Sequence, residues 1–236
     1  MYIRNLLFTI LLGAFFINSC TVSGATNIIT INGEIHSNNA DSVIQGNGNL
    51  KKEKRQLSRF NSVIVELSAD TEIIQGQTPQ VLIEAEENIL PLISTEIKNH
   101  QLTISSHKGF VTQSGISVTV ITPEVTNLEH LSSGDISLSN INQATLTILQ
   151  NGSGNITAGG MVKTLRATLA GSGDLNLNSL KSTHTTAHLS GAGDINVHAE
   201  TSLSATITGA GNITYYGSPM TIKEKIDGAG EIMPGD

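Results

Sequence analysis

The residues with chemical potential in this sequence return as one phrase. It reads Ser-Ser-Gly-Asp-Ile (132–136), Gly-Ser-Gly-Asn-Ile (152–156), Gly-Ser-Gly-Asp-Leu (171–175), Gly-Ala-Gly-Asp-Ile (191–195), Gly-Ala-Gly-Asn-Ile (209–213) and Gly-Ala-Gly-Glu-Ile (228–232). A serine between glycines suggests a nucleophile, glycine amides suggest phosphate, and the ladder Asp135, Asn155, Asp174, Asp194, Asn212 suggests calcium. The sequence withholds the partners each chemistry needs. A nucleophile elbow is a single Gly-x-Ser-x-Gly serving a distant base, not a phrase used six times. Calcium-binding nonapeptide rolls need two glycine-rich loops per coil at a nine-residue spacing. Here the period is doubled and part of the ladder is Asn, or Glu at 231. The expectation is therefore no metal and no cofactor, with each Asp or Asn accepting hydrogen bonds from turn amides.

The remaining reactive side chains are equally dispersed. The seven histidines form no ligand cluster; His184 and His188 are four apart, which on a strand is ~13 Å, and both project outward. Neither a His-Glu-x-x-His pair nor a phosphate loop occurs. Carboxylates of neighbouring repeats could approach one another, as in β-helical polysaccharide-cleaving enzymes. Those sites also need Arg or Lys in a groove, and the repeats carry only Lys163, Arg166, Lys181, Lys223 and Lys225. No catalytic residue is expected.

One reactive group has a clear address. Cys20 is the only cysteine, and it follows a short positive start at Arg4 and an apolar run from Leu6 to Ile17 that is too short for a comfortable membrane span. Ile17-Asn18-Ser19-Cys20 resembles a bacterial lipobox, which would make Cys20 the lipidated first residue of the mature chain. A lone exported cysteine cannot form an internal disulfide. Thr21 and Val22 follow, without the Asp that retains lipoproteins at the inner membrane of enteric bacteria, so the outer membrane is the expected site. An ordinary secretory signal with a coincidental Cys is the alternative.

The formal charge of −7 argues against nucleic acid, whose affinity rests on clustered Lys and Arg. The local exception is Lys51, Lys52, Lys54, Arg55 and Arg59, read as a solvated strand or as a contact to anionic lipid or glycan.

What must position these groups is a regular scaffold. The marker glycines Gly134, Gly154, Gly173, Gly193, Gly211 and Gly230 stand 20, 19, 20, 18 and 19 residues apart, the period of a solenoid. Even offsets are mainly apolar: two after the marker (Ile136, Ile156, Leu175, Ile195, Ile213, Ile232), four before it (Gln150, Leu169, Leu189, Ile207, Ile226) and eight before it (Leu146, Leu165, Thr185, Leu203, Ile222). Polar residues fill the odd offsets. Period-2 patterning on both sides of a turn predicts two short strands per coil, each stacked in parallel on its counterpart. The turn glycines (Gly134, Gly152, Gly154, Gly171, Gly173, Gly191, Gly193, Gly209, Gly211, Gly228, Gly230) are expected because the reversal needs φ > 0. Aromatics at 3% with no Trp suit such a thin aliphatic stack.

Residues 1–20 thus read as a signal ending at Cys20, 21–48 as a polar tether with Ile29-Thr30-Ile31 as a possible strand, 49–130 as an irregular strand-rich cap and 131–236 as the repeat array. Ile93–Lys98 and Gln101–Ser106 form a hairpin across Asn99-His100, and Glu86–Leu92 a short helical turn or loop. Leu67-Ser68-Ala69-Asp70 occupies the place of a repeat phrase whose glycines are lost.

The chain resembles the GIN-domain family, described as auto-transporter adhesin heads of bacteria. The resemblance rests on Gly46-Asn47-Gly48-Asn49, Phe60-Asn61-Ser62-Val63, Gln75-Gly76, Glu84-Ala85-Glu86-Glu87-Asn88-Ile89-Leu90-Pro91 and the phrase array. It implies an all-β, right-handed parallel β-helix of the pectin-lyase-like kind without recognised catalytic residues, and a role in adhesion. The expected function is a non-catalytic lipoprotein, held to the membrane through its lipid, that binds a host or envelope glycan or protein. The alternatives are a structural protein whose open end stacks on another copy, giving a homo-oligomer, and a polysaccharide-processing enzyme.

Overall fold

The computed structural model describes residues 43–236, together with the backbone of two strands, β1 (Ile28–Ile31) and β2 (Glu34–Ser37). Cys20 and its lipobox lie outside the described residues. β1 and β2 pair antiparallel, Ile28 opposite Ser37 and Ile31 opposite Glu34, in the first of two units, which ends at Ser42.

The second unit, Val43–Asp236, is all-β. Its irregular part contains β3 (Ile44–Gln45), β4 (Leu50–Gln56), β5 (Ser62–Val65), β6 (Asp70–Gln75), β7 (Gln80–Glu86), a 3-10 turn at Leu90–Leu92, β8 (Ile93–Lys98), β9 (Gln101–Ser106), β10 (Phe110–Val111), β11 (Ser117–Thr122) and β12 (Asn127–His130). The array supplies β13 (Ile136–Gln150), β14 (Ile156–Leu169), β15 (Leu175–Leu189), β16 (Ile195–Ile207), β17 (Ile213–Tyr216), β18 (Thr221–Ile226) and β19 (Ile232–Pro234). Together they build a β-solenoid of about five turns with parallel stacked coils, as the repeat period predicts.

Each coil has two arms. The first follows the corner phrase and the second leads into the next one. In β13 to β16 the arms run on through a bend, seen as register shifts between Leu138 and Ile141, Thr157 and Gly159, and Leu177 and Lys181. Asn140, at φ 59°, and Gly160, at φ 133°, sit at that bend. Within the array the last coil breaks there, into β17 and β18.

The apolar columns stack as the spacing requires. Ile136, Ile156, Leu175, Ile195 and Ile213 are buried on the first arm, and Leu146, Leu165 and Leu203 on the second. Burying each contributes about 1.5–3 kcal/mol, so a coil gains its stability only against its neighbours. Ile148, Ala167, Ala187 and Ala205 form a second buried column on that arm.

Stacking order departs from chain order at the amino-terminal end. β5 and β6 form one coil, against which β12 and the start of β13 lie in parallel. The intervening segment hops outward: β9 stacks in parallel beyond β5, and β11 in parallel beyond β6. Antiparallel strands then close that end, β8 on β9 and β7 on β11, with β4 outermost on β7. The β8–β9 turn uses Asn99 and His100 at φ 52° and 62°, the left-handed pair that a two-residue hairpin needs. The cap is thus a set of antiparallel strands, β4, β7 and β8, of which only β8 forms a hairpin with its chain neighbour, a device that covers an open end.

Edge strand β4 carries Lys51, Lys52, Lys54 and Arg55 of the basic cluster. Lys51 pairs with Glu87 at 2.5 Å and Lys52 with Glu84 at 3.3 Å. Arg55 turns inward, its Nη1 donating to Ile93 O at 2.8 Å and its Nη2 to Leu90 O at 3.3 Å. Charged edges of this kind discourage strand addition.

Candidate functional site

The ladder beside the corner is a chain of hydrogen bonds between coils. The Asn155 amide donates to Asp135 Oδ1 at 2.8 Å, Asp174 N to Asn155 Oδ1 at 3.0 Å, and Asp194 N to Asp174 Oδ1 at 2.9 Å. Asn212 N donates to Asp194 Oδ1 at 2.8 Å and Glu231 N to Asn212 Oδ1 at 3.0 Å. Only one side-chain oxygen is used at each rung, which is why Asn alternates freely with Asp. Glu stands at the last rung, where no further amide of the described residues must be reached. Asp70 begins the series by accepting from Asp135 N at 3.2 Å, so the phrase without glycines does belong to the stack. Among the described residues no group of three or more His, Cys, Asp or Glu is arranged to hold a metal ion.

The glycines require a correction. A positive φ occurs at Gly211 (140°) and Gly230 (157°) but at none of Gly134, Gly152, Gly154, Gly171, Gly173, Gly191, Gly193, Gly209 or Gly228. Contact is the common reason. A Cβ at Gly154 would overlap the carbonyl oxygen of Gly134, one at Gly173 that of Gly154, and one at Gly193 that of Gly173. The other turn glycines meet the coil below in the same way. Backbone rides on backbone at this corner, with Ser172 N donating to Gly152 O at 3.1 Å and Ala192 N to Gly171 O at 2.9 Å. The corner is a structural seam.

Outward side chains form rows along the stack. On the first arm Glu72, Ser137, Thr157, Asn176, Asn196 and Thr214 align, with Asn196 Nδ2 donating to Asn176 Oδ1 at 3.0 Å. This row borders the acidic corner. The second arm presents three rows of five: Thr145, Thr164, His184, Ser202, Thr221; Thr147, Arg166, Thr186, Ser204, Lys223; and Leu149, Thr168, His188, Thr206, Lys225. None of these is an acid. His184 Nδ1 and Ser202 Oγ are 2.8 Å apart, and His184 and His188 share the outward face without converging on one site, as their spacing predicts.

Two buried polar groups escape a reading of columns. Glu86, at the end of β7, is completely buried. It accepts from Thr112 Oγ1 at 2.7 Å, Gly48 N at 3.1 Å and Gln113 N at 3.2 Å. The Thr112 hydroxyl holds its carboxyl below the ordinary carboxylate value, burial works against this, and the Gln113 and Gly48 amides add to the lowering. Gly46 lies against this carboxylate with no room for a side chain. Asn88 joins the same clasp, accepting from Asn47 N at 3.0 Å and donating to Gln45 O at 2.7 Å. The Gly46–Asn49 and Glu84–Pro91 motifs are therefore two halves of one lock.

His130 and Gln150 occupy the first array rungs of a column that continues as Leu169, Leu189 and Ile207, all fully buried. His130 Nδ1 is 2.6 Å from Gln150 Oε1, and its Nε2 is 3.0 Å from Ser132 Oγ. Gln150 Nε2 donates to Gly154 O, which fixes its oxygen toward the imidazole. Burial pushes the His130 pKa down, with the Gln150 hydrogen bond and the Asp135 charge opposing it. Ser132, which replaces the first glycine of its phrase, donates to Leu67 O at 2.8 Å. The three form a polar pin where the cap meets the array.

Comparison with known proteins bears on this geometry. The family profile described as "Putative auto-transporter adhesin, head GIN domain" matches residues 59–219. No curated protein sequence matches. Among solved structures, a "putative adhesin" of Bacteroides fragilis aligns with a TM-score of 0.70 at 22% identity, covering 81% of this chain and 100% of that one. A "putative adhesin" of Parabacteroides merdae gives 0.56 at 19% identity, over 82% and 99%. A "putative lipid binding protein" of Parabacteroides distasonis gives 0.55 at 22% identity, over 83% and 100%. At these identities the likeness is one of fold.

Proposed function

Because the chain belongs to the GIN-domain family, we propose that it is a non-catalytic binding module of the bacterial cell envelope, an adhesion head held to the outer membrane by lipid on Cys20. The observation that carries the reading is the division of labour within each coil. The corner phrase, the most conspicuous feature of the sequence, is consumed by the backbone seam and its Asp/Asn ladder. What remains for recognition is the pair of flat outward faces, rigid and repetitive, with Ser, Thr and Asn in register. A glycan and protein array probed with the purified chain tests this. Selective binding to one ligand class is expected; an array without signal counts against it. Incorporation of labelled palmitate that disappears in Cys20→Ala tests the anchor.

A second reading rests on the last coil, where Met220, Ile222 and Ile226 are exposed at 85%, 40% and 47%. End-to-end stacking of copies would cover them. Glu224, however, continues the inward column of Ala187 and Ala205, and an inward charge on an edge strand opposes such stacking. Light scattering at rising concentration decides: a monodisperse monomer removes the second reading.

A further inference from the structure

We propose that the three outward rows of the second arm form a docking face for an anionic polysaccharide, an extended chain carrying carboxylate or sulfate groups. The inference rests on the binding-module reading and gives it a surface and a ligand class. The protein carries a net charge of −7, yet these rows contain no Asp or Glu and hold Arg166, Lys223, Lys225, His184 and His188. Lys225 is partly spent on Asp227, 2.6 Å away. Arg166 and Lys223 make no ion pair with a described residue and stand exposed. Of the array's acids, Asp135, Asp174, Asp194 and Glu231 stand at the corner, while Glu200 lies at the bend before the second arm and Glu224 continues the inward column between Lys223 and Lys225. A polyanion is therefore repelled from the corner and drawn to this face, which orients it.

Glu129, Glu200 and Asp227 border the face. Glu129, on β12, adjoins Leu149 at the end nearer the cap, and Asp227 lies beyond Lys225. Nine of the fifteen side chains in these rows are hydroxyls, spaced ~4.8 Å from coil to coil and about 6.7 Å along each strand. A hydroxyl both donates and accepts, which suits a ligand that is itself a row of hydroxyls, while Arg166 can take a carboxylate or sulfate through two N–H groups. Leu149 is the one apolar member. Apart from the imidazoles of His184 and His188, the face offers no Phe, Tyr or Trp ring for stacking a nucleobase and no apolar wedge for entering a bilayer, so a hydrated glycan fits better than nucleic acid or lipid.

The test measures binding of the purified full chain to immobilised polygalacturonate, dextran sulfate and neutral dextran, and to phosphatidylglycerol vesicles. Both acidic glycans should bind, with affinity falling as salt rises, and neutral dextran should not. The double variant Arg166→Gln, Lys223→Gln should weaken binding about tenfold with unchanged thermal unfolding, whereas Lys54→Gln on β4 should leave it intact. Binding that survives the double variant, or that vesicles match with the same sensitivity, overturns the inference. If acidic glycans fail while a neutral glycan or a protein on the array binds, this inference falls and the binding-module reading stands. If nothing binds, both fall.

Discussion

Replacing Gly173 by Ala should unfold the seam from within. Gly173 has no positive φ, so on conformational grounds alone the change would be harmless or mildly stabilising. The stacked geometry dictates otherwise, because the new methyl group would overlap the carbonyl of Gly154. Relief requires the two coils to part at the corner. Three hydrogen bonds cross there: Ser172 N to Gly152 O at 3.1 Å, Asp174 N to Asn155 Oδ1 at 3.0 Å, and Ile156 N to Asp174 O at 2.9 Å. At about 0.5–1.5 kcal/mol each, their loss costs roughly 1.5–4.5 kcal/mol. For a body of this size that corresponds to a fall in Tm of about 5–15 °C. Thermal unfolding followed by circular dichroism measures it, with the neighbouring exposed Ser172→Ala as a control expected within about 0.5 kcal/mol of the parent. A Gly173→Ala protein that melts with the parent, while only Gly211→Ala and Gly230→Ala are destabilised, would refute the stacking argument and restore backbone conformation as the reason for the glycines.

Other outcomes follow from the same structure. Asp174→Asn keeps the oxygen that accepts the Asp194 amide and should be nearly neutral, whereas Asp174→Ala should cost about 1 kcal/mol; chelation with EDTA should leave the parent's Tm unchanged, and a chelator-induced drop would reveal a cation that the ladder geometry does not anticipate. The folded state holds His130 below its ordinary pKa, so the unfolded chain takes up the proton first, and stability present above pH ~6.5 should decline as pH falls toward the folded value. In denaturant melts, the paired change His130→Leu, Gln150→Leu should abolish that decline at a cost of about 1–3 kcal/mol, because the pair becomes apolar together but the Gly154 carbonyl loses its donor. Glu86→Gln should loosen the cap clasp, seen as faster proteolysis near Gly46–Asn49 and Thr112–Gly115 with the array still resistant; unchanged cleavage would show that the carboxylate is not what holds those segments.

The array was legible because its information is one-dimensional. A fixed period, aliphatic residues at even offsets and a turn phrase specify coils that stack on their sequence neighbours, and Ile136, Ile156, Leu175, Ile195 and Ile213 do so. Asp70 could be placed in the ladder from its phrase alone. The cap was not legible in the same way. β7, β8, β9 and β11 alternate apolar and polar residues just as β5 and β6 do, and nothing in an alternating pattern distinguishes a parallel coil from an antiparallel cover, or reports that the chain leaves its coil, builds a more distal one and returns. The two halves of the Glu86 lock were visible as motifs, but their contact spans 38 residues between Gly48 and Glu86 and depends on that return. His130 and Gln150 look like defects in an apolar column until their partners are known. The glycines misled in the opposite sense: their positions were evident, while their reason, the close approach of one coil to the next, exists only in the stacked state.

The central claim, a binding head displayed by a lipid anchor, is tested most directly by adding protease to intact cells carrying the parent chain or Cys20→Ala. The account predicts that the parent is membrane-bound and degraded from outside without lysis, while Cys20→Ala no longer fractionates with the membrane. A parent chain fully protected until the cells are broken, or a Cys20→Ala chain that stays membrane-bound and displayed, would contradict it.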